Sequence, residues 1–250
     1  MSGHSKWSTI KRKKGAADAK RGKVFTRLLR EVMIAARLGG GDPVGNPRLR
    51  AAIQDARGNN VPNDKLERAI KKGIGELEGT ALEEVVYEGY GPCGVAVLVE
   101  TMTDNRNRTV SEVRHLFSKH GGNLGENGCV SYMFAQRGYF VIEATAMDED
   151  ELMELALELE VEDFSSGEDG FELFTTPETY NEVREALAER EVPVAAGELA
   201  MIPQTVVPLT ADKLPKILRL MEAMEDLDDV QNVWANFDSD EAALAANAGG

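Results

Sequence analysis

The chain has 250 residues and a formal net charge of −15, and its composition is that of an ordinary globular protein with no collagen-like or disordered bias. No apolar run reaches the roughly 18 residues that span a bilayer, the basic N-terminus lacks the apolar stretch of a secretory signal, and Cys93 and Cys129 alone exclude a disulfide framework, so a cytoplasmic protein without a membrane partner is expected. Charge is divided by position: residues 1–72 hold 18 Lys/Arg against 6 Asp/Glu, a net of +12, while residues 73–250 hold 10 against 37, a net of −27.

Residues 1–17 are polar, basic and poorly periodic, with Trp7 and Ile10 interleaved among the cations. The spacing then predicts a helix over 18–38, stopped by Gly39-Gly40-Gly41. At about 100° per residue, Phe25, Leu28, Leu29 and Val32 share one side of it; Lys20, Lys23, Arg27, Arg30 and Arg37 share the other. A second helix is predicted over 46–57, with Asn46 as cap, Pro47 in the first turn and Gly58 as stop. A third is predicted over 63–72, where Asp64 and Glu67 have capping-box spacing. Three short helices make a small bundle whose thin apolar content predicts mobility or dependence on a partner.

The character changes near Thr80. Strands are predicted over 85–90 and 95–103, a helix over 106–120 and a strand over 130–134. From Gly138 onward the pattern is strand 139–144, helix 148–159, strands 161–164 and 171–175, helix 177–190 and strand 194–202. That is a complete β-α-β-β-α-β split unit. A short strand (205–208), a helix (211–225) and a strand (230–237) then supply the second half that residues 85–134 lack. The expected fold class is therefore α+β in three domains. A small basic helical bundle (1–80) precedes two ferredoxin-like α/β domains, and one of these (135–203) is inserted in the other (81–134 plus 204–238), with a frayed tail at 239–250.

The cations carry the functional reading. Lys6, Lys11, Arg12, Lys13 and Lys14, followed by Lys20, Arg21, Lys23, Arg27 and Arg30, are dense enough to neutralise phosphates and release counterions. Trp7 is placed to stack on an unpaired base. Two plainer readings stand beside this one: Trp7 packs in the bundle while the charges stay solvated, or the basic segment docks on the protein's own acidic body. Arg106 and Arg108 open a helix, where free backbone N–H groups and the dipole favour an anion. Capping by Asp104 or Asn105, with the arginines paired to carboxylates, is the alternative. Gly89-x-Gly91-x-x-Gly94 matches the dinucleotide fingerprint as a string, but it joins two strands and contains Pro92, so it reads as a hairpin turn. His115 and His120 stand five apart, not the four that align two metal ligands, and no phosphate-binding loop or nucleophile motif is present. No enzyme, metal or cofactor is expected.

Several blocks resemble the YebC family. They are Gly3-His4-Ser5-Lys6-Trp7, Ala19 to Thr26, Leu38 to Pro43, Asn46 to Arg50, Tyr87 to Pro92, Asp104 to Thr109, Phe117-Ser118-Lys119, Gly121 to Gly125 and Met201-Ile202-Pro203, in the same order over almost the whole chain. Cys93 stands where a glycine looks usual. The resemblance implies a three-domain cytosolic protein without known enzymatic activity, described mostly as a probable transcriptional regulator that binds DNA. It also admits a ribosome-associated translation factor, since a mitochondrial relative is a translational activator and bacterial members are linked to ribosomes stalled on proline-rich sequence. Sequence reasoning leans away from an operator-reading protein, because no helix-turn-helix and no dimerisation stripe is visible. A monomer that binds DNA or structured RNA, and through it the ribosome, is the expectation; an acidic scaffold with a self-docking basic arm is the remote alternative.

Overall fold

The computed structural model describes residues 18–77, 81–167 and 170–239. Those residues are α+β and divide into two compact units, residues 134–204 forming one and the remainder the other.

The larger unit opens with helices α1 (Asp18–Gly39), α2 (Pro47–Gly58) and α3 (Asn63–Gly73). Val32, Ala35 and Ala36 of α1 pack on Leu49, Ala52, Ile53 and Ala56 of α2 and on Leu66 and Ala69 of α3, with Phe25, Leu28 and Leu29 at the margin. This is the apolar stripe that the 3.6-residue period predicts. Small residues let the helices approach closely: a Cβ on Gly73 would lie 2.4 Å from the carbonyl of Met33. Asn46 caps α2 as predicted, its side chain accepting from Leu49 N at 3.1 Å. The capping box expected for α3 is not formed. The helix starts after Pro62, whose carbonyl accepts from Lys65 and Leu66 N, and no side chain caps it.

The same unit contains a four-stranded antiparallel sheet in the order β3-β1-β2-β9, from β1 (Glu83–Tyr90), β2 (Ala96–Thr103), β3 (Asn123–Leu124) and β9 (Val230–Ala235). Helices α4 (Arg106–Lys119) and α7 (Leu214–Glu225) cover one face, burying Val113, Phe117, Ile217, Leu220 and Met224 against Val97, Val99 and Val233. Two short strands, β8 (Val207–Pro208) and β10 (Phe237–Asp238), pair in parallel. The glycine-rich segment after β1 is a hairpin connection with a single 3-10 turn, Pro92–Gly94.

Within that turn Cys93 adopts φ 65°, a left-handed conformation that costs a residue with a Cβ about 1 kcal/mol or more. The position prefers glycine for this reason. Cys93→Gly should raise stability by roughly 0.5–1 kcal/mol, because relief of strain exceeds the entropy gained by the unfolded chain. Denaturant titration of the two proteins would measure it; an unchanged or lower midpoint would refute the strain.

Residues 130–134 are not the strand that alternation suggests. Ser131–Met133 is a 3-10 turn, and the edge strand of the sheet is Asn123–Leu124 instead. The cause is Glu88, a buried carboxylate on β1 that accepts from the backbone N–H of Gly128 (2.7 Å), Val130 (2.9 Å) and Ser131 (2.8 Å). Donors that a strand would present to a neighbour are turned onto one side chain.

The second unit comprises β4 (Phe134–Glu143), α5 (Glu149–Glu158), β5 (Asp163–Gly167), β6 (Gly170–Thr175), α6 (Tyr180–Glu189) and β7 (Val194–Pro203). Its all-antiparallel order β5-β6-β4-β7 is that of the predicted split β-α-β-β-α-β unit. Phe140 stacks on Tyr180 with centroids 5.0 Å apart, at the centre of a core that includes Ile142, Leu152, Leu173 and Leu187. The sequence from 134 to 204 holds 19 Asp/Glu against 3 Lys/Arg, which makes this unit the main source of the chain's acidity.

Candidate nucleic-acid interface

Packing α1 on α2 and α3 through its apolar stripe turns its basic face outward from the bundle. That face meets the segment between α7 and β9 and the adjoining end of the sheet. Lys23 Nζ donates to the carbonyl of Asp226 at 2.8 Å and to its Oδ1 at 3.0 Å. Arg27 Nη2 donates to Asn232 Oδ1 at 3.0 Å. Arg30 donates to the carbonyls of Met102 (3.0 Å) and Asp228, and its Nη2 lies 3.0 Å from Asp229 Oδ1. Arg37 donates to the carbonyl of Leu82. Arg48 of α2 forms a bidentate pair with Glu31 and also reaches Glu84, and these carboxylates hold its guanidinium firmly protonated. The bundle that seemed to need a partner has one in its own chain.

Asp229 is the hub of this junction. It is 3% exposed and accepts from Arg108 Nη2 (2.6 Å), Thr109 Oγ1 (2.7 Å) and Thr103 Oγ1 (3.0 Å), besides its pair with Arg30. Burial by itself would raise its pKa. The hydrogen bonds from Arg108, Thr109 and Thr103 and the charge of Arg30 outweigh burial and hold it below the usual carboxylate range.

The sequence-predicted cations thus fall into distinct groups. Lys23, Arg27 and Arg30 are brought together, but against protein acceptors. Arg108 pairs with both Asp104 (2.9 Å) and Asp229, and Asn105 caps its helix by accepting from Arg108 N at 3.1 Å. Arg106 is exposed, 3.7 Å from Glu83. Lys6, Trp7, Lys11, Arg12, Lys13 and Lys14 lie outside the described residues, as do the side chains of Lys20 and Arg21.

Sequence reasoning passed over another group. Leu66 and Ala69 point inward, so Lys65, Arg68, Lys71 and Lys72 stand exposed on the opposite side of α3, interspersed with Asp64 and Glu67. Lys65 Nζ lies 5.9 Å over the Phe25 ring. Among the described residues no carboxylate pairs with Arg57, Arg68, Lys71 or Lys72. The signal was present in the spacing 65, 68, 72, which puts three cations on one helix face. Such a face can neutralise phosphates, and it carries no chemistry beyond that. Among the described residues no group of three or more His, Cys, Asp or Glu is placed to hold a metal ion, and no helix is long and apolar enough to cross a membrane.

The fold and this distribution of charge define a class: an α+β protein in which a basic helical module is joined to an acidic α/β body. The chain belongs to the TACO1/YebC family. Residues 5–76 match the TACO1/YebC protein N-terminal domain, and residues 82–237 match the TACO1/YebC second and third domain. The probable transcriptional regulatory protein GSU1074 of Geobacter sulfurreducens is 58% identical over 238 residues, 95% of this chain and 96% of that protein. The probable transcriptional regulatory protein DP2908 of Desulfotalea psychrophila is 56% identical over 245 residues, 98% of each. Among solved structures, the conserved hypothetical protein Aq1575 from Aquifex aeolicus superposes with a TM-score of 0.82 at 50% identity, covering 89% of this chain and 92% of that one.

Proposed function

We propose that this chain is a non-enzymatic regulator of gene expression that binds nucleic acid in the cytoplasm through the phosphate backbone. The observation that carries the reading is the separation of charge: a net of +12 in residues 1–72, with cations on α3 that no described carboxylate neutralises. The basic segment from Lys6 to Lys14, with Trp7, Lys20 and Arg21, supplies the first contacts, and Arg57, Arg68, Lys71 and Lys72 extend them. Lys23, Arg27, Arg30 and Arg108 hold the module in place rather than reaching for phosphate. The acidic insert repels nucleic acid.

Relatives named as probable transcriptional regulatory proteins make DNA one target. Structured RNA, and a role beside the ribosome, is a second reading favoured by the docking of α1. Its cationic face lies against the sheet, so α1 is not free to enter a major groove and read base edges. Phosphate contacts position a protein without specifying sequence, which suits recognition of RNA by shape.

Crosslinking in living cells, followed by sequencing of bound DNA and RNA, decides between the targets: promoter enrichment supports transcription, and ribosomal or transfer RNA supports translation. In solution, reversing Lys11, Arg12, Lys13 and Lys14 to Glu should flatten the slope of log affinity against log salt by roughly 3 to 4. The fold should be retained. Unchanged binding would refute the interface.

A further inference from the structure

An exposed aromatic pair stands at the β3 edge of the first sheet, on residues the basic module does not include. Tyr132 is 68% exposed and Tyr90 is 38% exposed. The two phenols are neighbours: partial desolvation and then the nearby Tyr132 phenol push the Tyr90 hydroxyl above its ordinary value, and Tyr90 Oη also donates to the carbonyl of Cys129 at 3.3 Å.

Exposed rings on a surface loop are ordinarily mobile, but this loop is pinned. Glu88 gathers three of its backbone donors, and the Glu88 carbonyl accepts a fourth from Gly125 N at 2.8 Å. Gly125 packs so tightly that a Cβ there would lie 2.4 Å from Cys129 Sγ. Tyr132 is therefore held out from a loop of one shape, so little ordering is required when something stacks on it.

Cations lie on the same edge. Asn123 pairs with Tyr90 in the sheet, and a Cβ on Gly122 would come within 2.5 Å of the Tyr90 carbonyl, so the turn after α4 ends against the Tyr90 backbone. The turn brings Lys119 and His120, with His115 one turn earlier, and α7 adds Arg219. Burial first, then the charges of Lys119, Arg219 and His115, keep His120 below its ordinary pKa. Glu126 is the loop's single exposed acid.

We infer that Tyr132 and Tyr90 form a stacking platform for unpaired nucleobases. Every base offers a π face, so such a platform accepts any single strand or loop, whereas duplex keeps its bases stacked on each other. The inference rests on the nucleic-acid reading above and adds the kind of strand the protein takes.

The test uses the full chain and three fluorescent 20-nucleotide probes of one sequence: single-stranded RNA, single-stranded DNA and blunt DNA duplex. Tyr132→Ala should weaken both single strands roughly 5- to 100-fold and leave duplex affinity within about twofold. Tyr132→Phe, which keeps the ring, should bind as wild type does. Loss confined to RNA would support the platform and identify its source as RNA. Equal loss on all three probes, or single-strand binding unchanged in Tyr132→Ala, would overturn the platform and leave the rings for a protein contact. Wild-type protein that binds none of the probes would instead overturn the nucleic-acid reading itself, and the inference with it.

Discussion

Asp229→Ala should destabilise the larger unit by about 3–5 kcal/mol, one of the largest effects expected of any single substitution in this chain. The cost does not measure what the ion pairs contribute, because buried pairs roughly balance attraction against desolvation. It arises from what remains: the Arg30 guanidinium, 17% exposed, and the hydroxyls of Thr103 and Thr109, all aimed at a missing acceptor. For a unit of this size the melting temperature should fall by roughly 6–20 °C. Calorimetry would show it, and a shift below about 2 °C would mean Asp229 is an ordinary solvated acid.

The same residue sets a pH dependence. A carboxyl whose folded pKa is depressed contributes stability that is fully present above its unfolded pKa, near 3.9, and is lost as pH falls through the folded value. Wild-type stability should therefore decline from about pH 5 downward. Asp229→Asn should be less stable at neutral pH but flatter across that acid range. Parallel curves for the two proteins would contradict the assignment.

Glu88→Ala should cost about 2–4 kcal/mol and act on one loop. Burial raises the Glu88 pKa, but hydrogen bonds from Gly128, Val130 and Ser131 more than offset this and hold the carboxyl below its usual range. With the carboxylate removed, three backbone N–H groups lose their acceptor, one of them buried and two part-buried. Amide hydrogen exchange at Gly128, Val130 and Ser131 should accelerate selectively while the strands β1 and β2 keep their protection. Protection retained at those three amides would show that the loop is held by something else. Because Tyr132 stands on this loop, Glu88→Ala should also weaken single-strand binding without touching either ring.

The helices and most strands were legible because each follows a local rule. The apolar stripe of α1, the Asn46 cap and Pro47 start of α2, and the valine-rich runs of β1 and β2 each lie within a few residues of chain. The 3-10 turn at Ser131–Met133 was not legible. Its cause is a carboxylate more than 40 residues earlier, and the alternation of Val130, Tyr132 and Phe134 reads as a strand until that partner is known. The cations of α1 show the same limit. Spacing places Lys23, Arg27 and Arg30 on one face, yet a phosphate and a protein carboxylate leave the same mark on the helix that binds them.

By itself, then, the sequence determined the segregation of charge, the order of elements and, through motif blocks in fixed order, the family. Tertiary structure decided which cations remain for a partner. Lys23 meets Asp226 and Arg30 meets Asp229, each about two hundred residues away, because closing the sheet with β9 carries the segment from Asp226 to Asp229 to the basic side of α1. Periodicity encodes which way a side chain points. What it points at is set only when distant parts of the chain pack.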